Sequence, residues 1–180
     1  VELTDRMSEA VFTRVMEAAI EALADPQNYE ARADLLWGGT LAHNNILGAG
    51  REQDWSSHRM EHALSAEFDV AHGAGLAVII PNYLTYTLEH DPARFCRFAV
   101  KMFGVDPKGR SELETGREGI RKFREFLDEI KMPKTFGDLG IRAGDIPQLI
   151  KSVIPNNGDL LGYFQPLTEE DVVNIFELCL

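Results

Sequence analysis

Cysteine is nearly absent: the only two, Cys96 and Cys179, sit alone among apolar neighbours in RFCRFAV and IFELCL. That pattern excludes a disulfide framework and leads us to expect a reducing, cytoplasmic setting. Positive charge is scarce as well. Against 29 Asp and Glu stand 18 Lys and Arg, for a net charge of −11. Such a surface repels polyanions, so neither nucleic acid nor an acidic membrane is an expected partner. Long apolar runs are missing too. The longest, GAGLAVIIP at 73–81, is far too short to span a bilayer. No basic segment with a cleavage site opens the chain, and no G-x-G-x-x-G turn is present to cradle a dinucleotide. Runs of alternating β pattern, internal repeats and low-complexity tracts are absent. The opening VELTDRMSEAV lacks an initiator Met and enters an amphipathic pattern at once, as expected of the interior of a longer protein.

What is present reads as helix almost throughout. The 180 residues suffice for one domain, 1–180, with its own core. Thr4 is the expected cap of a first helix with Val11, Val15, Ala19 and Leu23 on one face, ended by Asp25-Pro26. A second helical stretch covers 28–50, with Leu36, Thr40 and the Gly38-Gly39 pair on a closely packed side. Asp54 is the expected N-cap of WSSHRMEHALSAEF. The segment from Ala74 is apolar nearly all round and should be a central helix, kinked or ended at Pro81. Asp91-Pro92 opens a further helix. Ser111 with Glu114, and Thr168 with Asp171, have capping-box spacing, and IPQLIKSVI forms a short helix between them. The expectation is an all-α bundle of about seven or eight helices.

Three of the five histidines, His58, His62 and His72, fall within fifteen residues. Read literally, His58, Glu61 and His62 match H-x-x-E-H, a zinc-peptidase pattern of two ligands and a base. That reading leaves His72-Gly73 without a role. His58 and His62 share a helix face. An unbroken helix would separate His58 from His72 by about 21 Å, too far for a common ion. Asp69, Val70 and the Gly73/Gly75 pair predict a break that lets His72 fold back. A plain structural role for these histidines is the third reading.

The window DWSSHRMEHALSAEFDVAHGAGLAVIIP resembles the metal-binding segment of the iron-containing (group III) alcohol dehydrogenases. The similarity is strongest to the butanol dehydrogenase branch. LTDRMSEAV, NYEARADLLWGGTLAHNNILGAGREQDW, ARFCRFAVKMFGVDP and QPLTEEDVVNIFELCL extend it over the whole chain. The resemblance implies a dehydroquinate synthase-like helical domain, with His58 and His72 as metal ligands. His62 would lie beside nicotinamide and substrate, assisting proton transfer, and Glu61 would not act as a base. Asp54 and Trp55 would support the helix start. The implied cofactors are a divalent metal, Fe(II) or Zn(II), and NADH or NADPH; the implied substrate is a small alcohol or aldehyde. A nucleotide-binding N-terminal domain, carrying two more ligands on D-x-x-x-H, would be the missing partner. Without it the domain is expected to be inactive; a homodimer is a compatible assembly. The alternative is a non-catalytic helical scaffold that keeps the fold.

Overall fold

Eight α-helices account for most of the residues described, 1–154 and 158–180, in a computed structural model of the chain. Among these residues there is no strand, only an isolated antiparallel bridge between Leu161 and Leu167. No helix among the described residues is long and apolar enough to cross a membrane.

Helices α1 (Glu2–Ala24) and α2 (Tyr29–His43) form a hairpin. Gly38 makes their close approach, since a Cβ there would stand 2.4 Å from Val15 Cγ2. Thr4 is not the cap of α1. It lies inside the helix, buried, and its hydroxyl donates to the Ala49 carbonyl at 2.9 Å. That bond ties α1 to the short 3-10 turn at Ile46–Gly48. Leu36 and Thr40, expected on the packed side of α2, are exposed, as is Leu23 at the far end of α1. The hairpin instead packs on the row containing Ala31 and Gly38, where small side chains let the two backbones meet.

Helices α3 (Ser56–Phe68) and α4 (His72–Thr87) form the second hairpin. The central position expected for α4 is borne out by the burial of Ala77, Val78, Ile79, Pro81, Asn82 and Tyr83. Pro81 lies inside α4 and does not end it. Met60, Ala63 and Leu64 of α3 join α4 in the main core. Helices α7 (Ile146–Val153) and α8 (Glu169–Glu177) close that core through Leu149, Ile150, Val172, Ile175 and Phe176. The expected capping boxes are both formed, at Ser111–Glu114 and Thr168–Asp171. Cys96 and Cys179 are free thiols.

Helices α5 (Pro92–Phe103) and α6 (Glu112–Glu129) pack against each other through small residues. Asp91 caps α5 by accepting from the Arg94 N–H. A Cβ on Gly119 would stand 2.5 Å from Ala99 Cβ and 2.7 Å from Ala99 Cα. Backbone cannot yield there without moving a helix. Gly119→Val is therefore expected to cost at least ~1–3 kcal/mol, the range for overpacking. Gly39, helical and with nothing within 4 Å of a Cβ, supplies the contrast. Gly39→Ala should stabilise by ~0.5–1 kcal/mol. Urea midpoints for the two variants check both signs.

Candidate metal centre

The site is built at the open end of the α3–α4 hairpin. Asp54 was expected to cap α3, but the N-cap position belongs to Trp55. Asp54 does more than a cap. Its Oδ1 accepts from the Ser56 N–H at 2.7 Å. Its Oδ2 accepts from the Phe164 N–H at 2.8 Å and the Tyr83 hydroxyl at 3.2 Å. Burial works to raise the Asp54 pKa, but these bonds together hold it below the ordinary carboxylate value. The start of α3 is thus fixed against α4 and the 162–164 loop. Gly162, at φ 88°, lets that loop lie on the clamp.

From this start, His58 and His62 rise on one side of α3, one turn apart. His58 is half-buried and His62 is exposed. The break after α3 comes where Asp69 adopts the left-handed region, φ 52°, and its N–H closes on the Ser65 carbonyl at 3.1 Å. Gly73 and Gly75 do not make the break, as the sequence had suggested; both lie in the first turn of α4. Asp carries the left-handed turn because its short polar side chain tolerates it. Three residues later His72 opens α4 and faces back across α3.

The three imidazoles then meet. Ring centroids are 5.3 Å apart for His58–His72 and 5.5 Å for His62–His72. Trp55 stands edge-on to His58 at 5.0 Å. Nδ1 of His58 is buried and has no hydrogen-bond partner. Burial lowers the His58 pKa, and the charges of His72, His62 and His43 lower it further against the pull of Glu61. A neutral imidazole is the form that binds a metal. The donor atoms of Glu61, His62 and His72 lie within 4.8 Å of one another. Imidazoles beside a carboxylate form a donor set that suits Fe(II) or Zn(II), so these residues fit such an ion.

Glu61 is the residue whose place the sequence did not reveal. It is fully buried, with Oε1 accepting from the Ser65 hydroxyl and Oε2 hydrogen-bonded to His72 Nδ1. A peptidase base must face water. This carboxylate has no exposed surface, and both oxygens are engaged, so the literal H-x-x-E-H reading fails here. The i, i+4 spacing of Glu61 and Ser65 was visible in the sequence, but the return of His72 onto Glu61 depends on a turn eleven residues of chain cannot specify by pattern alone.

Known proteins share this sequence and fold. The pattern for "Fe-containing alcohol dehydrogenase family, C-terminal" matches residues 1–180. The NADH-dependent butanol dehydrogenase A of Clostridium acetobutylicum is 34% identical over 174 residues, covering 96% of this chain and 44% of that protein. The NADPH-dependent aldehyde reductase YqhD of Escherichia coli is 27% identical over 176 residues, covering 98% of this chain and 45% of that protein. The crystal structure of NADH-dependent butanol dehydrogenase A from Thermotoga maritima superposes with a TM-score of 0.92 at 35% identity. It is covered to 46% of its length by 99% of this chain. The chain therefore spans less than half the length of these relatives. With a family match from end to end and the same helical architecture, the chain belongs to the Fe-containing alcohol dehydrogenase family, in its C-terminal region.

Proposed function

We propose that this chain is the metal-binding catalytic domain of an NAD(P)(H)-linked enzyme that interconverts small primary alcohols, butanol-like in size, and their aldehydes. The observation that carries this reading is the convergence of His58 and His72, from separate helices, at 5.3 Å with the buried Nδ1 of His58 unpartnered. His58 and His72 would hold a divalent metal, Fe(II) or Zn(II). An Asp and a His from an N-terminal nucleotide-binding domain would complete the set, and that domain would hold NADH or NADPH. When bound, the ion supplies Lewis-acid polarisation of the substrate oxygen.

The chain's own residues do the rest. Trp55 packs against His58 in a T-shaped pair, with ring centroids 5.0 Å apart. His62, exposed on α3 beside His72, is placed to take or return the hydroxyl proton at an imidazole nitrogen. NADH or NADPH, held by the N-terminal domain, would supply the hydride chemistry.

Turnover of butanol with NAD(P)+ tests the division of labour. The full-length enzyme should turn over, and residues 1–180 alone should not. Turnover by the isolated chain would sink the two-domain reading. A full-length protein that binds neither metal nor cofactor would instead favour the scaffold reading.

A further inference from the structure

Glu61 has no assigned role in the reaction, and its setting is an unfavourable one for stability. A fully buried carboxylate is costly to desolvate, and replacing one with an apolar residue often stabilises a fold. Gly75 is a second unfavourable choice, because glycine loses more conformational freedom in a helix than any other residue. The two meet. A Cβ on Gly75 would stand 2.7 Å from both Cγ and Oε1 of Glu61. The first turn of α4 is thus hollowed to admit this carboxylate, and the carboxylate reaches His72.

We infer that Glu61 is a positioning residue that fixes the tautomer and ring orientation of His72 for metal binding. The inference rests on the reading of His72 as a ligand. A carboxylate can only accept hydrogen bonds. The Oε2 contact at His72 Nδ1 therefore places the single proton of the neutral ring on Nδ1. Nε2 is left with its lone pair free to face an ion. Ser65, whose hydroxyl donates to Oε1 and lies 3.0 Å from the Val70 carbonyl, holds the other end of the carboxylate against the turn that delivers His72. Carboxylate, imidazole and metal in series are a common way to orient a ligand.

The test uses the full-length protein labelled with 15N-histidine, stripped of metal, as wild type and as Glu61→Gln and Glu61→Met. Imidazole 15N shifts, assigned by comparison with His72→Ala, report the tautomer of His72. Wild type should show the Nδ1–H form. Glu61→Gln should retain it, because the amide oxygen still accepts, and Glu61→Met should lose it. Zn(II) affinity by chelator competition should fall about 10- to 100-fold in Glu61→Met, the range for outer partners of metal ligands, and less in Glu61→Gln. Gly75→Ala, which crowds the carboxylate without removing it, should move tautomer and affinity the same way and serves if Glu61→Met does not fold. Folded variants with an unchanged tautomer and unchanged Zn(II) affinity would overturn the inference. So would a Co(II) absorption spectrum altered in Glu61→Gln as it is in His72→Ala, which would make Glu61 a ligand. Failure of wild type to bind Zn(II) or Co(II) would overturn the metal-site reading, while the tautomer would still decide the Glu61 contact.

Discussion

Alanine at His58 or at His72 is expected to strip the metal from the full-length enzyme and to lower kcat/KM by at least ~10³-fold, given several kcal/mol of Lewis-acid assistance at about 1.4 kcal/mol per decade. His62→Ala is expected to keep the metal and lower kcat by ~10²–10⁴-fold, the usual worth of a positioned proton-transfer group. The two outcomes follow from the proposed assignment of His58 and His72 as ligands and His62 as the proton-transfer group. His58 and His72 face each other from α3 and α4, with His58 half-buried behind Trp55. His62 is exposed on the outer turn. Metal content measured beside butanol dehydrogenase rates separates the assignments. The tighter group of Glu61, His62 and His72 makes the opposite forecast: His62→Ala would empty the site and His58→Ala would leave it full. That result would replace the ligand assignment made here.

The helices were legible because their signals are local. Ser111 with Glu114 and Thr168 with Asp171 announce their helix starts within four residues, and both boxes form. The apolar run from Ala74 announced a buried helix, and α4 is one. Legibility failed where a side chain spends its hydrogen bond at a distance. Thr4 looked like a cap, but its hydroxyl serves the carbonyl of Ala49, 45 residues away. Asp54 looked like a cap, but most of its partners lie on α4 and the 162–164 loop. Gly75 looked like a helix breaker, but it is a space left for Glu61. The approach of His58 and His72 was legible because helix rise makes an unbroken helix incompatible with it. The partner of His72 was not, since three residues of Asp69-Val70-Ala71 decide which face of α3 it meets.

Asp54→Ala is expected to destabilise the chain by about 3 kcal/mol, more than any other single polar substitution at the site. Hydrogen bonds to a charged group are each worth ~1.5–3 kcal/mol, and a buried donor left without a partner costs ~1–3. Asp54 serves the Ser56 and Phe164 N–H groups and the hydroxyl of Tyr83, a residue only 7% exposed. These losses overlap, so the total stays well below their sum. For a chain of this size, each kcal/mol shifts Tm by about 2–4 °C, which gives a fall of about 6–12 °C. The effect should also carry a pH signature. The folded-state pKa of Asp54 is held below its ordinary value of 3.8. Its contribution is therefore fully present above that value and is lost as pH falls through it towards the lower folded-state pKa. Urea unfolding at pH 7 and at successively lower pH should show wild type and Asp54→Ala converging below about pH 4, near the ordinary aspartate pKa. A constant gap across that range would mean that Asp54 acts through packing and not through its charge. A variant as stable as wild type at pH 7 would mean that the start of α3 does not depend on this clamp. His58, two residues past Ser56, would then owe its position to the packing of Met60 and Leu64 in the core.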